Sequence, residues 1–168
     1  MFYLDCSEVL FDFESGNLHG WNLTGTAFNN QPTYGDNPVA RARETANLTG
    51  NWWIGGYENR SSPSQQAGEV QGDGPTGTMT SSPFVIKGNK IKFLIGGGAS
   101  INTTRLELIV GGSVVKQVSS NTNFETMNEK EFNVANYRGQ TAQLRLVDQG
   151  SLGWGRINLD HVTQDNCP

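Results

Sequence analysis

The sequence predicts an all-β fold, an antiparallel β-sandwich of the jelly-roll kind, on three observations. Apolar residues recur at every second position in short runs, glycine-rich turn signals separate the runs, and no stretch sustains a helical period. The chain has 168 residues, 21 of them glycine, which suits one turn-rich domain spanning 1–168 with its core within about 9–162.

The elements follow in order. Phe11 and Phe13 alternate with Asp12 and Glu14, which predicts a first strand with one buried face. Trp21 after Gly20 is expected inside, and in Trp52-Trp53 alternation should bury one ring and expose the other. From Asn59 to Gly77 Ser, Pro, Gln and Gly dominate, which predicts a long surface loop, either functional or disordered. Ile91, Phe93 and Ile95 against Lys90 and Lys92 form the next clear strand, and Leu106, Leu108 and Val110 against Arg105 and Glu107 another. Thr126 to Tyr137 is the best helical candidate, yet its Phe132 and Val134 fit a strand equally well. Ala142, Leu144 and Leu146 alternate with Gln143 and Arg145, and Ile157 and Leu159 with Arg156, Asn158 and Asp160. Turn signals at Gly72-Asp73-Gly74-Pro75, Lys87-Gly88-Asn89, Gly111-Gly112 and Arg138-Gly139 join these strands.

Composition narrows the partners. Charged residues make up 17% and the formal net charge is -4, so no basic field is present to release counterions from a phosphate backbone, and nucleic acid is not an expected partner. No apolar run approaches the length that spans a bilayer, so no membrane insertion is expected. Met1 to Leu10 is too acidic and too short for a signal peptide. The two cysteines, Cys6 and Cys167, sit near the two ends, the arrangement expected if the first and last strands lie side by side and are bridged; two free thiols are the alternative. Asn22, Asn47, Asn59 and Asn102 each open an Asn-x-Ser/Thr glycosylation sequon. Together these features favour a secreted protein or the extracellular part of a cell-surface protein.

Four strings are not generic: Phe11-Asp-Phe-Glu-Ser-Gly16 with Gly20-Trp21, Gly77-Thr-Met-Thr-Ser-Ser-Pro-Phe84, Phe93-Leu-Ile-Gly-Gly-Gly98, and Gly153-Trp-Gly-Arg-Ile-Asn-Leu-Asp160. Their order and spacing resemble the non-catalytic β-sandwich module that accompanies glycoside hydrolase family 32 enzymes and also occurs in animal extracellular proteins. The opening Phe-Glu-Ser-Gly and the closing Ile-Asn-Leu-Asp-His-Val are similar to the ends of MAM domains and of galactose-binding-like modules. The resemblance implies a jelly roll, galactose-binding-like or MAM/concanavalin-like, that binds rather than catalyses. Arg156 stands where the family commonly has His, and the hydrolase's Trp-Met-Asn-Asp-Pro type nucleophile motif is missing from this sequence.

The residues themselves point the same way. Sixteen Asp and Glu residues make chance carboxylate pairs certain and nominate none. His19 and His161 lie by no Gly-x-Ser-x-Gly elbow, and two histidines with two distant cysteines offer no zinc spacing, so no enzyme is predicted. A hard cation fits better, and jelly rolls with these end motifs often pin their first and last strands with calcium. Glu14 and Asp160 are the acids that fit, with Asn51 adding a carbonyl; two solvated strand-end acids are the alternative. Gly96-Gly97-Gly98 suggests close backbone approach to a neighbouring strand or to a ligand. Flat aromatic faces complement sugar rings. Tyr57, Glu58, Gly97, Arg105, Asp148, Trp154 and Arg156 are the predicted ligand face, for a glycan or glycoprotein; an adhesion domain engaging an extracellular protein partner is the alternative.

Overall fold

The computed structural model describes residues 6–166. Among these residues twelve strands form two antiparallel sheets: β1 (Ser7–Phe11), β2 (Asn22–Gly25), β3 (Thr33–Tyr34), β4 (Trp52–Gly55), β5 (Gly77–Thr80), β6 (Phe84–Val85), β7 (Lys90–Gly97), β8 (Thr104–Val110), β9 (Ser113–Val118), β10 (Phe124–Asn133), β11 (Thr141–Asp148) and β12 (Ile157–Asp165). One sheet runs β10-β7-β12-β4-β3 with β1 also on β12, and the other runs β2-β5-β11-β8-β9 with β6 also on β11. The last strand organises the first sheet, because its edge is shared: Val162–Asp165 pairs with β1, and Asn158–Leu159 with β4. This is the jelly-roll sandwich the alternating runs predict.

Alternation places the core. Ile91, Phe93 and Ile95 face Leu106, Leu108, Leu144 and Leu146 across the sandwich, while Lys90 and Lys92 stay in water. The Gly111-Gly112 turn becomes a two-residue hairpin between Val110 and Ser113, with φ positive at both glycines as a type I′ turn requires. Thr126 to Tyr137 resolves as strand β10 followed by a single 3₁₀ turn over Ala135–Tyr137, because Phe132 must reach the core from a strand paired with β7.

Several expectations change in detail. The first strand stops at Phe11; Phe13 adopts φ 62°, which breaks the alternation and still buries its ring. Trp21 is only half-buried, against Phe11 at 4.9 Å and Phe13 at 5.7 Å. Of the adjacent tryptophans Trp53 is fully buried and Trp52 half-buried beneath Tyr34. Simple alternation would leave the polar positions of β12 in solvent, but Asn158 and Asp160 are buried along with Ile157 and Leu159. The cause is the excursion between β3 and β4, which lays Ala46 against Trp53 and Met127 and so covers the outer face of that sheet.

The 59–77 loop is surface-exposed but not free. Glu58 bridges to Val70, the Asn59 N–H donates to the Glu69 carbonyl, and the Gln71 amide donates to the carbonyls of Ala27 and Gly56. Residues 6 and 166 meet at one end of the sandwich, where the Asn166 N–H donates to the Cys6 carbonyl at 2.5 Å. Cys167, the expected partner of Cys6, lies outside the described residues.

Candidate functional site

The end of the sandwich remote from residues 6 and 166 gathers the connections that cross between sheets. Register places Gly97, Phe124 and Ile157 there on one sheet, and Gly77, Thr104 and Asp148 on the other. The β7–β8, β9–β10 and β11–β12 loops therefore converge. Between them lies a groove of about 570 Å³, lined among others by Ser100, Thr103, Asn123, Gln149, Leu152 and Trp154. Trp154 is held in a left-handed backbone conformation, φ 64°, unusual for a bulky side chain.

Behind Trp154 sits a stacked ion-pair network. The Arg156 guanidinium lies 3.9 Å from the Tyr57 ring centre and 4.2 Å from that of Trp154. It donates through Nε and Nη2 to both Asp73 carboxylate oxygens, at 2.7 and 3.0 Å, and through Nη1 to Glu125. Arg41 also stacks on Tyr57, at 4.5 Å, and pairs with Glu58 and Glu125, each at 2.8 Å. Asn158 donates to the Glu125 carbonyl at 3.0 Å. Glu58 and Glu125 are fully buried, and burial raises the Glu58 carboxyl against the opposing pull of Arg41. Such a network is costly to desolvate and gains little net stability, but removing one partner would strand buried charge at about 3–5 kcal/mol.

The predicted ligand face divides. Tyr57, Glu58, Trp154 and Arg156 lie together, although Arg156 is 6% exposed and each of its three guanidinium nitrogens already donates to a carboxylate. Gly97 adjoins them for a steric reason: a Cβ there would lie 2.6 Å from the Arg156 carbonyl oxygen, so the glycine lets β7 approach the chain entering β12. Asp148 ends β11 at the same end, 1% exposed, with Oδ1 accepting from the Gly150 N–H and Oδ2 buried without a partner. Burial pushes its carboxyl up to about 8, helped by the charge of Asp73. Arg105 does not join. It lies on the outward face of β8, bonded to Glu107 at 3.0 Å, beside the Arg145–Glu107 pair at 2.6 Å.

Arg41, Asp73, Glu125, Asn123 and Gln149 were not singled out from the sequence. Asp73 carried only a turn signal, and Glu125 is 31 residues from its Arg156 partner, so neither leaves a periodic trace. The proposed cation ligands lie elsewhere, on the outer face of the first sheet. Glu14 accepts from the N–H groups of Asn51 and Trp52, at 2.6 and 2.8 Å, and Asp160 from those of Thr49 and His161, both at 2.7 Å. The Asn51 carbonyl accepts from the Gly35 N–H. Burial raises the Asp160 carboxyl to about 7, with smaller contributions from the charges of Glu14 and Asp12. Among the described residues no group of three or more His, Cys, Asp and Glu side chains is gathered so as to hold a metal ion. Nor is any described helix long and apolar enough to cross a membrane.

No family model matches the chain. It is 33% identical over 163 residues to a protein of Aspergillus rugulosus provisionally named glycosyl hydrolase ecdE; the match spans 94% of this chain and 21% of that protein. Among solved structures it superimposes on the K1 cleaved adhesin domain of Lys-gingipain from Porphyromonas gingivalis W83 with TM-score 0.51 and 12% identity, covering 94% of this chain and 96% of that one. It superimposes equally, TM-score 0.51 and 13% identity, on TmCBM61 in complex with β-1,4-galactotriose, covering 92% and 94%. The chain is a β-sandwich domain whose fold is that of carbohydrate-binding modules and gingipain adhesin domains.

Proposed function

We propose that this chain is a non-catalytic, glycan-binding module of an extracellular protein, and that it accompanies a glycoside hydrolase. The groove beside Trp154 carries the reading: a half-buried tryptophan lines it together with hydroxyl, amide and backbone groups, the combination of aromatic and polar groups that suits a sugar ring. The galactotriose complex of the similarly folded TmCBM61 and the name of the Aspergillus relative support it. The chain spans about a fifth of that relative, so a catalytic neighbour, including one of the family 32 type suggested by the sequence strings, belongs to the proposal. A glycan array probed with the chain tests it. Saturable binding that Trp154→Ala reduces at least about tenfold is expected, the usual effect of removing a central aromatic anchor.

The adhesion reading has its own support, because Leu152 and Phe124 near the groove are 82% and 55% exposed and would suit a protein partner. Silence across the array with self-association in ultracentrifugation would favour it.

Calcium belongs to the same proposal. Glu14 and Asp160 would hold the ion, with Asn51 offering its carbonyl. The donors are all oxygen, as a hard cation requires, and each carboxylate oxygen that accepts one N–H retains a second lone pair. Bound there, a cation would offset the crowding of Asp160 with Glu14 and Asp12. The Cys6–Cys167 bridge and glycosylation at Asn22, Asn47, Asn59 and Asn102 complete the extracellular reading.

A further inference from the structure

We infer that the groove beside Trp154 takes an uncharged glycan and rejects uronates and sulfated sugars, with the neighbouring arginine holding Trp154 in place instead of meeting a ligand anion. The inference rests on the glycan-binding reading above. None of the eleven residues lining the groove bears a charge.

Two arginines lie against Trp154 at the edge of that lining, and each is already paired. Arg156 gives two N–H groups to Asp73 and a third to Glu125. Arg43, whose guanidinium lies 5.8 Å from the Trp154 ring centre, pairs with Glu44 at 3.3 Å. Arg105, away from the groove on the outward face of β8, pairs with Glu107 and donates to the carbonyls of Ile101 and Asn102. The buried network behind Trp154 sets three carboxylates, Asp73, Glu58 and Glu125, against two guanidiniums, Arg41 and Arg156. A sugar carboxylate or sulfate would therefore find no unpaired cation and would approach an excess of negative charge. Hydroxyl groups need no such partner. Asn123 and Gln149 amides and Ser100 and Thr103 hydroxyls can both give and accept, the pattern a neutral polyol requires.

Arg156 is then a positioning residue. Its planar fork is clamped between two rings and two acids, and one of those acids, Asp73, also accepts from the Trp154 backbone N–H at 3.3 Å. Lysine would retain the charge and lose both the stack and the bidentate geometry.

The test is a glycan array bearing neutral, uronate, sialylated and sulfated glycans, read at low and high salt with the wild-type chain. Binding confined to neutral glycans and unchanged by salt is expected. Binding confined to acidic glycans, weakening steeply with salt, overturns the charge inference while leaving glycan binding intact. Silence in every arm overturns both readings. For the positioning role, Arg156→Lys should weaken binding of the best neutral glycan by about tenfold, the scale of one lost aromatic contact. It should also move the Trp154 indole N–H resonance, identified by its loss in Trp154→Phe. An unmoved resonance with unchanged affinity would show that Arg156 positions nothing, and a gain in acidic-glycan selectivity on restoring arginine would show that it meets an anion.

Discussion

Asp148 shares the inward face of β11 with Ala142, Leu144 and Leu146, so its carboxyl is folded into an apolar setting. Held up to about 8, it keeps a proton in the folded state over a range where the unfolded chain has already lost it. Above the ordinary aspartate range near 4 and below about 8, the folded form binds more protons, and stability must fall as pH rises. The slope is at most about 1.4 kcal/mol per pH unit for one such group. Asp160 adds to it with the same sign, so the comparison must be with a single variant. Denaturant melts of Asp148→Asn across pH 5 to 8 are expected to show a shallower decline than the wild type; parallel curves would mean that this carboxyl is not the source. At the same scale, the seven candidate ligand residues show how far side-chain type alone can lead. Trp154 and Arg156, two positions apart, meet within one loop, whereas Tyr57 reaches Arg156 because the pairing of β4 with β12 brings the chain just after β4 beside the chain just before β12. Arg105 shares their chemistry but points off the opposite face of a strand, and a strand's two faces differ by a single position.

Strand β7 ends in glycine because two chains pass too closely for a side chain. Gly97 has φ 91°, and a Cβ there would also lie 2.9 Å from the Ile157 Cα. Gly97→Ala should therefore cost on the order of 2–3 kcal/mol, through left-handed strain and forced separation of β7 from the start of β12. Gly74→Ala is the internal comparison, since nothing lies within 4 Å of its Cβ position, and it should fall within about 0.5 kcal/mol of wild type. Urea melts of the two variants decide the matter; equal midpoints would refute the close-approach account. The sequence run Gly96-Gly97-Gly98 raised two possibilities, a neighbouring strand or a ligand. The backbone contacts select the first, yet the strand approached is the one that delivers Trp154 and Arg156, so packing at this element also sets the groove wall.

For the molecule as a whole, β12 joins the first strand to the interior, and two proposed devices act on that junction. Calcium bound only to the folded chain should stabilise it by about 2.7 kcal/mol at a hundredfold excess over Kd. Thermal melts with calcium and then with chelator are expected to differ in the wild type and to coincide in Glu14→Gln and Asp160→Asn; a midpoint indifferent to calcium in the wild type removes the site. A Cys6–Cys167 bridge would close a loop of about 160 residues and could contribute up to roughly 5 kcal/mol in the chain-entropy account. Mass spectrometry of the unreduced, alkylated chain should show neither cysteine modified, and two alkylated thiols would rule the bridge out. The observed pairing of Ser7 with Asp165 sets the first and last strands side by side.

The fold class followed from the sequence by itself because alternation is local: whether Ile91, Phe93 and Ile95 turn one way is decided by strand geometry within three residues. The same is true of the Gly111-Gly112 hairpin, where both positive φ values are a property of the glycines. Which of two faces water reaches is not local. Asn158 and Asp160 read as solvent-facing, and only the excursion that brings Ala46 onto Trp53 and Met127 buries them. The groove was decided in tertiary structure for a related reason. Its walls come from three crossover loops, and the acids that orient Arg156 stand 83 and 31 residues from it, so their charges are paired by sheet register and leave no periodicity in the chain.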